Sequence, residues 1–380
     1  MSIYLDNAAT TQIDAEVIEA ICKVMEENYG NPSSVHAFGR KARAEIEKAR
    51  RTVSSFLKVS PAEIFFTSGG TEADNMAILC SIRDLGVKHI ITSKIEHHAV
   101  LHSVEVAEAN GDLKVSFVKL TENGHIDLNH LEELLQTKEK TLVSLMHANN
   151  EIGNLIDLKN VSTLCRANGA YFHSDTVQTM CHYVFDLAEL DIDFITASAH
   201  KFHGAKGIGF LYINSKVSIK PMIHGGAQER NMRGGTENIY GIVGLAKAME
   251  VAYRDLEAHQ NHVQGLKTYM IERLRKSIPD VRFNGDPEGS SLYTVLNVCF
   301  PDTPISEMLL FNLDIMGISA SGGSACSSGS SVGSHVLAEL VRDMKRAAIR
   351  FSFSKYNTKE EIDHTVAQLS RLFAKQGLTV

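Results

Sequence analysis

The alternation of short apolar runs with amphipathic stretches constrains the fold of this 380-residue chain more than any other feature of its sequence. Runs of this kind, each ending in polar or small residues, lie at positions 63–67, 88–92, 115–118, 141–146, 171–173 and 194–196. Their length fits strands that are covered on both faces, as in a mainly parallel sheet. Residues 36–57 and 129–136 between them have helical periodicity, so this part of the chain predicts an α/β sheet domain.

The pattern changes near residue 257. A long polar helix is predicted over residues 259–276, strand-like segments follow at 281–283 and 294–300, and a last helix covers residues 359–375. This mixture is typical of a smaller α+β domain. Spacing alone leaves open whether the first residues of the chain fold back onto it.

Composition and charge exclude several classes of protein. The hydrophobic fraction of 44% and charged fraction of 22% are those of an ordinary globular protein. A formal net charge of −7 without a basic stripe argues against nucleic acid and anionic membranes as partners. The amino terminus lacks the features of a signal peptide, and no stretch approaches the roughly 18 apolar residues of a membrane span. We therefore expect a soluble, cytoplasmic protein.

The cysteines fall into two groups. Five of them are expected to be small side chains of the core or free thiols, and no pair has the spacing of a metal or redox site: Cys22, Cys80, Cys165, Cys181 and Cys299. No metal site is predicted, because ligand spacings are absent among the histidines as well. Cys326 differs, since it lies in the most Ser/Gly-rich stretch of the chain, residues 319–334. Exposure and flexibility there suit a thiolate that reaches one site and delivers to another.

A first chemical motif is the turn at Gly69, Gly70 and Thr71. An apolar run leads into it and a helical pattern follows at once. Glycines let the backbone N–H groups approach an anion, and the start of a helix adds a favourable dipole. The motif therefore favours phosphate binding, although a plain strand-to-helix turn with a threonine cap fits the same residues.

Lys201 is the second motif, because it follows the run at 194–196 with Ser198 and His200 beside it. Lysine is usually solvated, so this position at a strand end is unusual. Desolvation and nearby cations lower the pKa of an amine and make it a Schiff-base nucleophile, while Ser198 and His200 are able to donate to a phosphate. The competing interpretation is a surface lysine in a polar loop.

Other polar residues follow strands at the same predicted sheet edge. Asp175 stands where open α/β sheets bind ligands, and in a pyridoxal phosphate (PLP) enzyme such an acid keeps the ring nitrogen protonated. Gln178 lies within reach of the ring oxygen, Asn150 supplies amide donors, and His97 offers an imidazole. Taken alone, Asp175 is more typical of a helix cap. Two adjacent histidines, such as His97 and His98, are by themselves more often incidental than catalytic.

Arg350 lies inside the apolar segment 347–353. A buried guanidinium needs an anionic partner. A substrate carboxylate and a structural salt bridge both meet that need.

Together these segments resemble the NifS/IscS-type cysteine desulfurases of the fold-type I, class V aminotransferase-like PLP enzymes. The similarity covers nearly the whole chain, through residues 4–11, 30–36, 67–72, 96–97, 149–153, 200–201, 224–226, 232–238, 323–326 and 349–352. It implies an α/β fold with a mainly parallel seven-stranded sheet between helices. Residues 16–257 would form the large PLP-binding domain, and residues 1–15 with 258–380 a small α+β domain that carries the Cys326 loop.

The resemblance also implies roles. Lys201 would carry PLP as a Schiff base and move the Cα proton of the substrate, with His97 stacked on the ring and assisting proton transfer. Asp175 would pair with the ring nitrogen, and Gln178 and Asn150 would contact the ring oxygen. The phosphate would be bound by Gly70, Thr71, Ser198, His200 and, from the other subunit of a homodimer, Thr236.

For the substrate, the resemblance implies that Arg350, assisted by Asn150, clamps the carboxylate. Cys326 would take the sulfur of L-cysteine as a persulfide and leave L-alanine. The implied function is a PLP-dependent cysteine desulfurase that supplies sulfur to an acceptor protein, for iron–sulfur cluster assembly or other sulfur-containing biomolecules.

Two departures and three alternatives accompany this interpretation. Ala205 replaces a proline that family members usually have, and the chain ends at Val380 without the longer tail that some members use to hold an iron–sulfur scaffold. The alternatives are a selenocysteine lyase, another PLP-dependent aminotransferase or lyase, and a catalytically silent assembly or regulatory subunit.

Overall fold

The structure is a computed structural model that describes residues 2–111, 113–322, 333–340 and 346–378. Its strands are β1 (Ile3–Tyr4), β2 (Ile64–Thr67), β3 (His89–Thr92), β4 (Lys114–Phe117), β5 (Thr141–Ser144), β6 (Tyr171–Asp175), β7 (Phe194–Ser198), β8 (Gly209–Ile213), β9 (Arg282–Asn284), β10 (Val295–Cys299), β11 (Ile318–Ser319) and β12 (Ala348–Ser352). Its helices are α1 (Ala15–Glu27), α2 (Ala37–Leu57), α3 (Gly70–Leu85), α4 (His98–Ala109), α5 (Leu128–Leu135), α6 (Leu158–Ala167), α7 (Ile239–Arg254), α8 (Leu256–Ser277), α9 (Leu309–Ile315), α10 (His335–Leu340) and α11 (Lys359–Ala374). Within the described ranges, no helix combines the length and the apolar character that crossing a membrane requires.

The centre of the larger unit is a seven-stranded sheet with the order β2-β8-β7-β6-β5-β3-β4. Strands β7, β6, β5, β3 and β4 are parallel neighbours, whereas β8 runs antiparallel to both β7 and β2. The predicted mainly parallel seven-stranded sheet is thereby confirmed. β8 is the strand that the six apolar runs do not include, although all of its residues are buried.

Burial along the strands follows their place in the sheet. β2, β3, β5 and β7 are buried at every residue, as expected for strands covered on both faces. β4 is different because it is an edge strand, with exposed ends and a half-buried middle. The expectation that this run is covered on both faces is therefore wrong.

Capping side chains set where several helices of this unit begin. The carboxylates of Asp14, Asp127 and Asp157 accept backbone N–H groups at the starts of α1, α5 and α6. The helical stretches predicted at 36–57 and 129–136 are α2 and α5, each displaced by no more than one residue at either end.

A smaller sheet with the order β12-β10-β9, antiparallel throughout, forms the second unit with α8 and α11. The strands and helices predicted after residue 257 match β9, β10, α8 and α11. β1 pairs in parallel with β11, and Ile3 and Leu5 are fully buried in this core. The first residues of the chain therefore fold back onto the smaller unit, a point that spacing left open. The domain limits at residues 15/16 and 257/258 stay a prediction.

Candidate active site

A cavity of about 210 Å³ lies at the edge of the large sheet where its parallel strands end. Ten residues singled out from the sequence line it: Gly70, Thr71, His97, Asn150, Asp175, Gln178, Ser198, His200, Lys201 and Arg350. The parallel strands explain the convergence, because their carboxyl ends share one edge of the sheet. The structure therefore brings these residues together, while their individual roles stay predictions.

One end of the cavity is built from the turn between β2 and α3. Gly69, at the N-cap, has a φ of 153°, which favours glycine, and no side chain caps the helix there. A Cβ at Gly70 would lie only 2.7 Å from Cγ2 of Val177, so the close approach requires glycine. The first-turn N–H groups of α3, together with the hydroxyls of Thr71 and Ser198, offer the donors that a phosphate needs.

Lys201 lines the cavity from a 3₁₀ turn (Ala199–Lys201) that follows β7. Its Nζ donates to the carbonyl oxygens of Ala8 at 2.5 Å and Ala9 at 2.9 Å. Nε2 of Gln178 donates to the same Ala8 carbonyl at 3.0 Å. The amino-terminal segment therefore forms a wall of the cavity and orients the amine.

His97 is the N-cap of α4, and its Nδ1 accepts the N–H of Ala99 at 3.1 Å. Burial, and then the charge of Lys201, lower the pKa of His97 to about 4. The ring is consequently neutral at physiological pH. A neutral imidazole whose Nδ1 accepts a hydrogen bond carries its proton on Nε2, so Nε2 acts as a donor.

Two buried carboxyl groups, those of Asp74 and Asp175, line the cavity. Asp175 is buried at the end of β6, where it accepts the N–H of Val177 at 2.8 Å, and burial and the neighbouring Asp74 raise its pKa to about 7. Burial raises the pKa of Asp74 to about 8. Both groups therefore hold a proton more readily than an exposed carboxyl group does.

Asp74, His97 and Asp175 each place a potential metal-ligating atom within 4.8 Å of the others. The tautomer of His97 argues against a metal there, because Nε2 carries the proton and has no lone pair to give. A positively charged ring nitrogen would satisfy the two carboxyl groups instead.

Arg350, on β12, is buried and reaches the cavity from the smaller unit. Its Nη2 lies 2.9 Å from Oδ1 of Asp6, and its Nη1 donates to the carbonyl oxygen of Asn150 at 2.8 Å. The structural salt bridge that the sequence left open is therefore present. It does not remove Arg350 from the cavity.

Two sequence-predicted residues are not in this cavity. Thr236 lines a separate, smaller cavity with Ser68 and Arg233. Its assignment to the phosphate site of a partner subunit stays a prediction. Cys326 lies outside the residues that the structure describes.

Five lining residues had no predicted role: Ala8, Ala9, Asp74, Met146 and Val177. The sequence contains a pattern that could have indicated Asp74. It lies three residues after Thr71, so the two share one face of the helix. Ala8 and Ala9 fall within a segment that carried the family resemblance, but small apolar side chains give no chemical signal of their own.

The donor set suits pyridoxal phosphate. A phosphate fits the helix start at Gly70, an aldehyde carbon is accessible to Lys201, and a pyridine nitrogen matches the buried carboxyl of Asp175. Oδ1 of Asp74 is buried without a hydrogen-bond partner among the described residues, which fits a cavity built to hold a polar group. Fold and site together define a cofactor-dependent enzyme of the aminotransferase-like α/β class.

Comparison with known proteins places the chain more closely. The model of the aminotransferase class-V family, a family of PLP-dependent enzymes, matches residues 3–365, and the chain belongs to this family. The protein named cysteine desulfurase IscS from Dictyoglomus turgidum is 41% identical over 377 residues, which are 98% of this chain and 95% of that protein. The resemblance drawn from the sequence is confirmed.

Solved structures agree. One titled NifS-like protein superposes with a TM-score of 0.91 at 37% identity, covering 99% of this chain and 100% of that one. Another, titled SspA in complex with cysteine, has a TM-score of 0.80 at 29% identity and covers 94% of this chain and 100% of that one.

Proposed function

We propose that this protein is an L-cysteine desulfurase that carries pyridoxal phosphate on Lys201. The observation that carries the proposal is the single cavity in which Lys201, Asp175 and Arg350 meet beside the start of α3. When bound, pyridoxal phosphate supplies an electron sink that stabilises negative charge at the substrate Cα. Relatives named cysteine desulfurase, and a related structure solved with cysteine, support L-cysteine as the substrate.

The residues around the cavity divide the remaining work. Lys201, released from the carbonyl groups of Ala8 and Ala9, is the base and acid that moves the proton at Cα. His97, neutral with its proton on Nε2, stacks on the ring and donates a hydrogen bond in the cavity. Asp175 holds the proton of the ring nitrogen, and Arg350 orients the substrate carboxylate.

Sulfur transfer is assigned to Cys326. Its thiolate attacks the sulfur of the bound cysteine, so that an S–S bond forms and the C–S bond breaks. The electron pair of the broken bond stays on carbon, which takes up a proton, and the products are L-alanine and a persulfide on Cys326. Ser321, which precedes this loop, donates from Oγ to Asp6 at 2.8 Å, and Asp6 pairs with Arg350. Ser321, which is the fifth residue before Cys326, therefore lies close to Arg350 of the cavity.

Three finer features belong to the proposal. The active form is a homodimer in which Thr236 serves the phosphate site of the other subunit. A sulfur-acceptor protein, such as an iron–sulfur scaffold, receives the persulfide sulfur. The reaction takes place in the cytoplasm. Thr236→Ala, which is expected to weaken cofactor retention, tests the first of these together with the mass of the particle in solution.

The decisive experiment incubates PLP-loaded protein with L-cysteine and quantifies L-alanine and sulfide. Wild-type protein and Cys22→Ala, which removes an exposed cysteine, are expected to form alanine. Cys326→Ala is expected to lose alanine formation while it keeps the absorption band of lysine-bound cofactor, and Lys201→Ala is expected to lose both. Wild-type protein that carries the band and forms no alanine would contradict the proposal.

A further inference from the structure

We infer that Asp6 is a positioning residue for carboxylate recognition, because it holds the guanidinium of Arg350 in the orientation that a substrate carboxylate requires. The inference rests on the proposed function and adds a residue that it does not use. Asp6 lies just after β1, a strand that does not belong to the large sheet. It reaches the site because the first residues of the chain pair with the smaller unit.

The guanidinium of Arg350 is incompletely satisfied. Its side chain is 1% exposed. Nη2 donates a hydrogen bond to Asp6, and Nη1 donates one to the carbonyl oxygen of Asn150. Nε is buried and has no hydrogen-bond partner among the described residues. A buried donor without an acceptor is unfavourable. A carboxylate that enters the cavity is the acceptor best suited to a guanidinium in this state.

Asp6 itself is firmly held. Its Oδ1 also accepts from Oγ of Ser321 at 2.8 Å. On one side of it, Leu5 donates its N–H to the carbonyl of Ser319 at 2.9 Å, and on the other, Nδ2 of Asn7 donates to the carbonyl of Ser352 at 2.9 Å. The carboxylate therefore has little freedom to swing away when a substrate arrives. It acts as a fixed partner of Arg350, and not as a competitor that leaves.

The ion pair between Asp6 and Arg350 also has an electrostatic effect. Arg350 would be a buried cation without Asp6, and such a cation turns toward any available acceptor. Asp6, whose side chain is 18% exposed, neutralises that charge and leaves the geometry of the guanidinium unchanged. Losing this restraint is expected to weaken ligands that have a carboxylate and to spare ligands that lack one. That difference separates a positioning role from a general contribution to stability.

The test compares Asp6→Asn with a matched control in full-length, PLP-loaded protein. The control is Asp280→Asn, because Asp280 pairs with Arg346 on a nearby part of the chain, Oδ2 to Nη1 at 2.7 Å, and neither residue lines the cavity. The measurements are KM and kcat for L-cysteine, and the dissociation constants of L-alanine and of cysteamine, which lacks a carboxylate. Dissociation constants are read from the change in the cofactor absorption band.

The Asp6→Asn variant is expected to raise KM for L-cysteine and the dissociation constant of L-alanine about tenfold, as for the loss of a charge-assisted hydrogen bond. We expect kcat and cysteamine binding to change less than about twofold, since neither depends on the carboxylate contact. Asp280→Asn is expected to leave all four quantities near the wild-type values. Ser321→Ala, which removes one restraint on Asp6, is expected to shift KM the same way by about threefold, and it serves as the second variant if Asp6→Asn folds poorly.

Three results would overturn the inference. A lower KM in Asp6→Asn would show that Asp6 competes with the substrate. Equal weakening of L-alanine and cysteamine, or a lower Tm without a change in KM, would show a structural role alone. The L-alanine measurement needs no turnover, so the inference can fail or stand separately from the proposed desulfurase activity.

Discussion

At the scale of single residues, Asp74 and Asp175 illustrate how one cavity assigns different tasks to similar groups. Both are buried, and burial raises the pKa of each well above its usual range. Asp175 stands at the end of a central strand and accepts a backbone N–H, which fixes its direction. Asp74 lies on α3 with Oδ1 3.4 Å from Nε2 of His173. We therefore expect Asp175 to ionise beside a ring nitrogen and Asp74 to remain a neutral acid.

Replacing these two residues separately tests the assignment. Asp175→Asn cannot accept the positive charge of a ring nitrogen, so kcat for alanine formation is expected to fall on the order of 10²–10³-fold, within the range for lost acid–base catalysis. Asp74→Asn resembles the neutral acid, and its loss is expected to be smaller than about tenfold on the same scale. For both variants, the measured quantity is the rate of alanine formation per bound PLP. Similar losses in the two variants would contradict the division of roles.

A cluster of buried histidines lies behind Lys201, and it links pH to stability. Nδ1 of His182 bonds to the hydroxyl of Tyr293 at 2.8 Å, and Nδ1 of His203 donates to the carbonyl of Gln12 at 2.8 Å. Mainly through burial, the pKa values of His182 and His203 fall to about 4 and that of His259 to about 2. These rings are neutral in the folded protein and gain protons near pH 6.5 when the chain unfolds.

Because the unfolded state binds more protons, the free energy of unfolding is expected to decrease as pH falls below about 6.5 toward 4. For His259 alone, the loss between pH 7.5 and 5 is expected to be about 2 kcal/mol. Urea unfolding at the two pH values should therefore show a smaller decrease for His259→Gln than for wild type. His224→Gln, on an exposed loop, serves as the control and is expected to follow wild type. Parallel curves for His259→Gln and wild type would refute this account.

The sequence predicted that the strand-end residues of the candidate site share one edge of the sheet, and their roles stay predictions. Asp175 and Ser198 end the strands β6 and β7, Lys201 follows β7, and the direction of the parallel strands brings their side chains to one edge. It did not predict the contacts made by the amino-terminal segment. Lys201 and Ala8 are 193 residues apart, and their contact is to a backbone carbonyl, which every residue has. Local pattern carries no information on such a pairing.

At the scale of elements, the segment between β8 and α7 is held by a buried ion pair. Both oxygens of Glu229 accept from the guanidinium of Arg50 on α2 at 2.8 Å, and one also accepts the N–H of Phe66 at 2.9 Å. Residues Glu229, Arg230 and Asn231 all have positive φ values, between 43° and 66°. Three consecutive non-glycine residues in this region are strained, so the pair is needed to hold the segment in place.

Glu229→Ala is expected to destabilise the fold by about 3–5 kcal/mol, because it removes the carboxylate that accepts two hydrogen bonds from the buried guanidinium and leaves Glu47, at 3.4 Å, as the remaining ion-pair partner. The measurement is urea unfolding, with Tm as a second readout. Glu27→Ala, which breaks the surface pair with Lys41 at 3.9 Å, is the matched control and should change Tm little. A small effect of Glu229→Ala would show that the segment does not depend on the pair.

The missed strand β8 shows the limit of prediction for elements. Its five residues are apolar or glycine, like the runs that were assigned to strands. Its antiparallel place between β7 and β2 follows from the pairing of whole strands, which a local pattern does not reveal. β4 shows the converse, since a run can be recognised as a strand without its position at the edge being known.

At the scale of the whole molecule, the amino-terminal segment joins the two units. Ile3 and Leu5 are buried in the smaller unit, while Thr11 bonds to His200 beside the large sheet. Leu5→Ala is expected to destabilise the protein by about 2–5 kcal/mol and to speed the release of cofactor, because Asp6 is the next residue and Ala8 lies three residues later. Val35→Ala removes a side chain that is 88% exposed and is the control. Unfolding curves and the rate of PLP loss to apo-protein traps measure both effects, and equal behaviour of the two variants would contradict this role.

The same segment bears on when the enzyme becomes competent during its synthesis. Asn7 donates to a carbonyl of Ser352, 345 residues later in the chain. Ribosomes synthesise a protein from its amino terminus. Asn7 is therefore made long before its hydrogen-bond partner Ser352. Until β11 and β12 have been made, residues 3–7 lack the strands that they contact, and Arg350 has no place beside Asp6. The finished pocket, and with it the capture of the cofactor, therefore depends on the synthesis of β12.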